Sequence, residues 1–256
     1  MDVLRSICET EGPRTGKELH NKTRTDLFRL WKACFTCDGL VSAEAGCRYL
    51  RFDKQVTGYA RLSPSIGRAF YSYTVFGTAE QLDAVQARAA EITRVSAEVS
   101  RRKTDLAREV ISAVVSRHHA ASSVTEHACF LISGDVAYDM AHREPRPEPS
   151  TDKLVNGSDL DIVVVHDGLS ADEVQSLDRL IYEQKHRLLR DPALREEIDY
   201  VIKDLARAKE QLAFADFESM IASKVLHEGL YLFGNPVLFD QVKAEVSRAG
   251  IMERLQ

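Results

Sequence analysis

The amino-acid sequence predicts an α+β protein of two units, in which short strands alternate with longer helices. Three observations support this class. Helical periodicity dominates the first part of the chain, an uninterrupted helical segment follows, and apolar strand segments come after it. A chain of 256 residues is long enough for two modest domains. We place them at residues 1–77 and 107–256, joined by a linking helix at 78–106.

The first unit is predicted to contain three short helices and then a hairpin. Apolar residues at helical spacing mark the first helix, and Thr15 begins the second. Thr25 is the expected N-cap of a third, amphipathic helix. Alternation of apolar and polar residues then predicts the two strands of the hairpin, at residues 40–41 and 48–52.

Three helices followed by a wing-like hairpin resemble a winged-helix domain, a fold of many bacterial regulators. The resemblance implies that the third helix and the hairpin contact a nucleic-acid backbone. The cations that would do so are Arg24, Arg29, Lys32, Arg48 and Arg51. The alternative is that these are solvated charges on a small interaction module, since the whole chain carries a net charge of −5.

The remainder of the chain begins with a segment rich in Ala, Glu, Gln, Arg and Val. Residues 78–117 contain neither Gly nor Pro, which predicts one long helix or two. Residues 142–158 hold three prolines among charges and are expected to form an exposed extended loop. Strands are predicted at 128–132, 160–166 and 198–202, and helices at 170–190, 214–229 and 236–249.

The sequence also bears on the cellular location of the protein and on whether its cysteines bind a metal. No apolar run reaches the roughly 18–20 residues of a membrane helix, and the N-terminus lacks the order of a secretory signal. We therefore expect a cytoplasmic protein without membrane contact, whose five cysteines are thiols. Cys34-x-x-Cys37 with Cys47 and His20 could bind zinc, but core packing is favoured because no second close pair exists.

Two aspartates lie at the start of the most apolar predicted strand. Residues two apart on a strand point to the same face, so Asp159 and Asp161 present parallel carboxylates. Such neighbours repel each other unless a cation lies between them, and their hard oxygens suit Mg²⁺ or Mn²⁺. Asp199 lies on the next predicted strand, after a helix of the length that joins neighbouring strands. Three carboxylates could then share one metal-binding pocket.

This order of motifs is similar to the nucleotidyltransferase superfamily related to DNA polymerase β. The matching positions are the Ser133-Gly134 turn, the Ser158-Asp159-x-Asp161 strand and Asp199. The resemblance implies a mixed sheet flanked by helices, with Asp159, Asp161 and Asp199 as catalytic, metal-binding residues. It also implies that the nucleotide contacts Ser133, Gly134 and Ser158, and that Lys224 on a later helix reaches the triphosphate. The alternative for Lys224 is a solvated residue on an amphipathic helix.

The resemblance implies transfer of a nucleoside monophosphate from an NTP to a hydroxyl, with Mg²⁺ or Mn²⁺ as cofactor and pyrophosphate as product. Protein side chains, an RNA end, a small molecule and a second nucleotide all remain open as acceptors. The family turn normally reads Gly-Gly or Gly-Ser, whereas Asp135 follows Gly134 here. This difference motivates an alternative: a DNA-binding regulator or toxin–antitoxin component whose second domain is a nucleotide sensor or a dimerisation unit.

Overall fold

A computed structural model describes residues 2–47, 49–50, 63–148 and 153–255 of the chain. The chain divides into two compact units, Met1–Ser96 and Ala97–Gln256. The fold is α+β with a mixed sheet and flanking helices, as predicted. None of the helices described has an apolar stretch long enough to cross a lipid bilayer.

The described part of the first unit contains short helices and a small antiparallel sheet. The sheet has the order β1-β3-β2, and Phe70 and Phe76 fill the core beneath it. A π-helical turn, Ala69–Tyr73, leads into the central strand. The elements in chain order are α1 (Asp2–Glu11), β1 (Arg14–Thr15), α2 (Gly16–Thr23), α3 (Leu27–Thr36), β2 (Leu40–Glu44), α4 (Pro64–Arg68) and β3 (Thr74–Thr78).

Side-chain caps determine where the helices of this unit begin. Thr15 starts α2 as predicted, through a reciprocal capping box with Glu18. The predicted cap of α3 at Thr25 is wrong. Asp26 caps α3 instead, because its carboxylate accepts the backbone N–H of Arg29 at 3.1 Å.

The first predicted strand of the hairpin is present and longer than expected. Residues 40–44 form β2, which pairs antiparallel with β3 over its full length. The second predicted strand, at residues 48–52, lies for the most part outside the described residues. Arg48 and Arg51 lie outside them too.

The predicted helical segment after β3 is one long helix. A short 3₁₀ turn at Ala79–Gln81 leads into α5, Leu82–Arg117. The helix therefore begins in the first compact unit and ends in the second, with the division after Ser96. The boundaries placed at residues 77 and 107 stay predictions.

The described part of the second unit has a four-stranded sheet with helices on both faces and a separate two-stranded sheet. Its helices after α5 are α6 (Ala121–His127), α7 (Gly134–Ala137), α8 (Ala171–Arg190), α9 (Leu205–Gln211), α10 (Phe217–Glu228), α11 (Pro236–Arg248) and α12 (Ile251–Arg254). Its strands are β4 (Ala128–Ser133), β5 (Arg146–Pro147), β6 (Leu154–Val155), β7 (Leu160–His166), β8 (Ile198–Asp204) and β9 (Leu230–Gly234).

Strand β7 is buried on both faces, as its unbroken apolar sequence predicts. Leu160, Ile162 and Val164 face a core that also includes residues of α5 and α8. Val163 and Val165 face a second core, which includes residues of α9, α10 and α11. The sheet order is β8-β7-β4-β9, with β7 and β8 parallel and the other two pairs antiparallel.

Three predictions for this unit need correction. The loop at 142–158 is not simply extended, because β5 and β6 pair within it. The helix expected at 214–229 begins only at Phe217, where Asp216 supplies the cap. The edge strand β9 was not predicted, since five residues following a helix carry too short a pattern to separate strand from helix.

Candidate metal and nucleotide site

Strand register brings the predicted site residues together at one end of the sheet. Asp161 pairs directly with Asp199 across the parallel strands and with Ser133 across the antiparallel strands. Residues paired in this way point to the same face of a sheet. Asp159 lies one residue before β7, and its repulsion contributes to the raised pKa of Asp161. All three predicted carboxylates therefore lie near one another, beside the turn that ends β4.

The turn at residues 156–158, before Asp159, is held by Lys103 of α5, which also pairs with Glu196 just before β8. The buried Lys103 ammonium pairs with Glu196 and donates to the Asn156 carbonyl at 2.9 Å. Gly157 has φ +73°, and a Cβ there would collide with the carbonyl of His142. Only glycine accepts both this positive φ and this close approach without strain, which explains why residue 157 is a glycine.

Asp161 is the carboxylate that the fold disfavours most in its charged form. Burial is the main cause that raises the pKa of Asp161 to about 8. Four neighbouring carboxylates add to the shift by repulsion: Asp159, Asp199, Asp135 and Glu228. A bound cation would offset both effects.

Asp159 has a different environment, because a cation of the chain already faces it. Nη2 of Arg146, on the hairpin strand β5, lies 3.4 Å from Oδ2 of Asp159 and 2.8 Å from Oε2 of Glu197. Nε of Arg146 donates to the Gly157 carbonyl at 2.8 Å. The guanidinium is thus held on three sides and neutralises one member of the acidic pair.

The Ser133-Gly134 turn lies directly against Asp161. Gly134 has φ +65°, and a Cβ there would collide with the Asp161 carboxylate, so this position requires glycine. The Ser133 hydroxyl is buried and lies 3.4 Å from the Asp161 carbonyl, to which it donates. Ser158 donates to Oδ2 of Asp135 at 2.8 Å, which joins the two motif turns.

Lys224 lies near this turn and is buried, so the alternative interpretation of a solvated lysine is wrong. It is buried on α10, forms an ion pair with Glu228, and its Nζ lies 5.7 Å from the centre of the Tyr138 ring. Oε1 of Glu228 accepts the Gly134 backbone N–H at 3.0 Å. One carboxylate therefore connects the turn to the lysine.

Arg146 and Glu228 were both missed from the sequence. Arg146 stands in the proline-rich loop, whose composition gives no sign of a contact with the site. Glu228 offered one weak signal, because it lies four residues after Lys224 and so on the same side of the helix. Its contact with Gly134 spans 94 residues, which no local pattern reports.

The donor chemistry fits a hard divalent cation, although the side chains are not arranged around one. Carboxylate oxygens are the ligands that Mg²⁺ and Mn²⁺ prefer, and the repulsion at Asp161 favours a cation. Within the described ranges, no group of three or more His, Cys, Asp or Glu side chains is placed to hold a metal ion. Arg146 accounts for part of this, since its guanidinium faces Asp159.

The cysteines considered for zinc in the first unit differ in burial. Cys34 is buried, and burial raises the pKa of its thiol to about 12, so the thiolate that zinc requires is disfavoured. Cys47 is exposed, whereas Cys37 is half-buried. The described part of the chain contains no metal-binding group of the kind considered for zinc.

The described cations of the predicted nucleic-acid surface lie on or beside α3. Arg29 and Lys32 are exposed on that helix, and Arg24 is exposed at the left-handed residue that ends α2. Phe28 and Phe35 are exposed on the same helix, at 43% and 47%, which gives the surface both cations and aromatic rings.

Comparison with known proteins adds no family assignment. No model of a known protein family matches the chain, and no curated protein matches it significantly either.

Proposed function

We propose that the second unit is a divalent-metal-dependent nucleotidyltransferase of the DNA polymerase β-like superfamily. The observation that carries the proposal is the register of Asp161 against Asp199 on parallel strands, with Asp159 as a charged neighbour of Asp161. The Ser133-Gly134 turn lies at the same end of the sheet, against Asp161. This is the order of parts that the sequence resemblance requires.

Asp159, Asp161 and Asp199 are the residues that would hold Mg²⁺ or Mn²⁺. When bound, the metal supplies positive charge that activates the acceptor hydroxyl and stabilises the pyrophosphate leaving group. To hold the ion, Asp159 would exchange its contact with Arg146 for it. Arg146 keeps its ion pair with Glu197 and its hydrogen bond to Gly157, so the guanidinium remains held after the exchange.

The reaction joins an acceptor hydroxyl to the α phosphorus of an NTP. The acceptor oxygen forms a bond to the α phosphorus, and the bond from that phosphorus to the oxygen bridging to the β phosphate breaks. Pyrophosphate leaves, and the hydroxyl proton passes to a base. Asp199 is our candidate for that base, because it is the most exposed of the three carboxylates and is open to an incoming acceptor.

We further propose that the first unit is a winged-helix domain that recruits the acceptor. Helices α1, α2 and α3 accompany a three-stranded sheet of order β1-β3-β2, whose first strand lies between α1 and α2. The exposed cations lie on or beside the third helix. An RNA end is one acceptor that such a surface would favour. A protein, a small molecule and a second nucleotide remain acceptors to be tested.

The test is transfer of label from NTPs carrying a radioactive α phosphate. The protein is incubated with each NTP, Mg²⁺ and cell extract, and labelled species are separated and identified. We expect labelling by the natural chain and none by the double variant Asp159→Ala, Asp161→Ala. Asp167→Ala is the matched control, because Asp167 is an exposed carboxylate just beyond the other end of β7 and should retain labelling.

A regulator without transferase activity is the competing proposal. It is favoured by the Arg146 contact at Asp159 and by the exposed cations beside α3. Failure of every NTP to label any species, together with tight duplex binding that weakens steeply with salt, would support the regulator over the enzyme.

A further inference from the structure

Glu228 contacts the two hydrogen-bond donors that we assign to the phosphates of the nucleotide, the Gly134 N–H and the Lys224 ammonium. Glu228 is the last residue of α10, and its side chain is 2% exposed. One carboxylate oxygen accepts the Gly134 N–H, and the other pairs with the Lys224 ammonium. Both donors that we assign to the triphosphate therefore already contact an anion of the chain.

A carboxylate and a phosphate make the same demands on these donors. Each offers negatively charged oxygens to a backbone N–H and to an ammonium group. The charge of Glu228 would also repel a phosphate brought to the same place, and the buried surroundings weaken that repulsion less than water does. Glu228 and a bound triphosphate are thus competitors for Gly134 and Lys224.

We infer that Glu228 sets the nucleotide affinity of the site, by holding Gly134 and Lys224 until phosphate replaces it. The inference rests on the proposed function, because the phosphate position is taken from it. It assigns Glu228 a role that a purely structural carboxylate would not have: removing its charge improves ligand binding.

Glu228→Gln isolates the charge from the shape of the side chain. The glutamine carbonyl can still accept the Gly134 N–H, so the turn keeps its partner. The charge pair with Lys224 is lost, so an anion that competes with the ligand for the ammonium is removed. Inorganic tripolyphosphate with Mg²⁺ is the probe, since the base preference of the site is unknown.

By calorimetry, we expect Glu228→Gln to bind tripolyphosphate about tenfold more tightly than the natural chain, the scale of one charge in a partly buried site. Glu218→Gln changes the same charge at the exposed first turn of α10 and should leave the affinity unchanged. Adding Lys224→Gln to Glu228→Gln should abolish the gain. Equal or weaker binding by folded Glu228→Gln would overturn the inference.

A second measurement uses the natural chain and does not depend on any variant folding. The step from Ser133 to Gly134 is the only Ser-Gly pair in the sequence. Labelling serine with carbonyl ¹³C and glycine with ¹⁵N therefore leaves one amide in a carbonyl-correlated NMR spectrum, that of Gly134. We expect this signal to shift saturably as tripolyphosphate replaces Glu228. A signal that stays in place while calorimetry records binding would overturn the inference.

The two proposals fail in different ways. A chain that transfers nucleotide but shows no gain in Glu228→Gln contradicts the role of Glu228 alone. A chain that labels no acceptor, yet binds tripolyphosphate more tightly as Glu228→Gln, contradicts the transferase alone. No binding by any variant overturns the role of Glu228.

Discussion

The two compact units of this chain have opposite charge. Residues 1–96 contain fourteen Lys and Arg against eleven Asp and Glu, a net charge of +3, and the rest of the chain carries −8. The described cations of the first unit that we assign to nucleic acid are exposed, near α3. The acidic groups that matter in the second unit meet at one end of a sheet, around the largely buried Asp161.

This difference indicates which ligand each unit can take and how strongly each charge acts. Exposed cations attract a phosphate backbone through screened, additive contacts. A buried carboxylate among like charges is costly to the fold unless a cation compensates it. Substitutions in the second unit should therefore have large effects that depend on metal, and those in the first should have small effects that depend on salt.

The largest expected effect is a gain in stability from Asp161→Asn in metal-free protein. The amide removes a charge that burial and four carboxylates disfavour, so we expect the free energy of unfolding to rise by roughly 2 kcal/mol. Urea denaturation in the presence of a chelator measures this. Asp167→Asn, at the exposed far end of β7, should change stability by less than about 0.5 kcal/mol. A loss of stability in Asp161→Asn would contradict the repulsion account.

A buried cation in the second unit gives the next effect. Lys203 on β8 is buried and donates to Gln211 at 2.7 Å, and burial lowers its pKa to about 8 from 10.5. Between these values the unfolded chain binds the proton more than the folded chain does, so stability should rise with pH from about 8 to 10.5.

Lys203→Met removes the titrating group and should therefore lose this rise. Between pH 7.5 and pH 10, the free energy of unfolding should rise by roughly 1–2 kcal/mol more in the natural chain than in the variant. Denaturation curves at the two pH values measure the difference. Lys209→Met, an exposed lysine on α9, should follow the natural chain throughout. Parallel curves for Lys203→Met and the natural chain would show that Lys203 does not titrate as its burial implies.

The smallest effects belong to the exposed cations of the first unit. Arg29→Gln and Lys32→Gln should each weaken duplex or single-strand binding a few-fold at low salt, and each should reduce the slope of log K against log salt by about 1. Fluorescence anisotropy with short labelled oligonucleotides measures both quantities. Arg94→Gln, an exposed arginine on α5, is the control and should change neither. Nucleic-acid binding that is unchanged by Arg29→Gln and by Lys32→Gln would contradict a nucleic-acid role for α3.

The parts of the fold that could be predicted have a strong local signal. Strand β7 matches its predicted residues because its unbroken apolar run is buried on both faces, and α8 begins after Ser170 because a capping box marks it. The edge strand β9 could not be predicted, since its five residues are too few to show a period. The cap of α3 is Asp26 rather than the neighbouring Thr25, because the Asp26 carboxylate accepts the backbone N–H of Arg29.

The candidate site divides in the same way. The proximity of Asp161 and Asp199 could be predicted, because their strands follow one another in the chain and pair in the same sheet. The shared face of Asp159 and Asp161 stays a prediction, because Asp159 lies one residue before β7. Arg146 and Glu228 could not be predicted, since each meets the site through tertiary packing that no sequence period records. Arg146 carries the same sign of charge as the proposed metal ion, and Glu228 the same sign as the proposed phosphate.

Binding of Mn²⁺ tests the central claim most directly, because it asks whether the three carboxylates share a cation. Electron paramagnetic resonance measures free and bound Mn²⁺ during titration of the natural chain and of a double variant that carries Asp161→Asn and Asp199→Asn. We predict saturable binding by the natural chain that the double variant loses and Asp167→Asn retains. Equal binding by the double variant, or no binding by the natural chain with NTP present, would contradict a metal site at the start of β7 and β8.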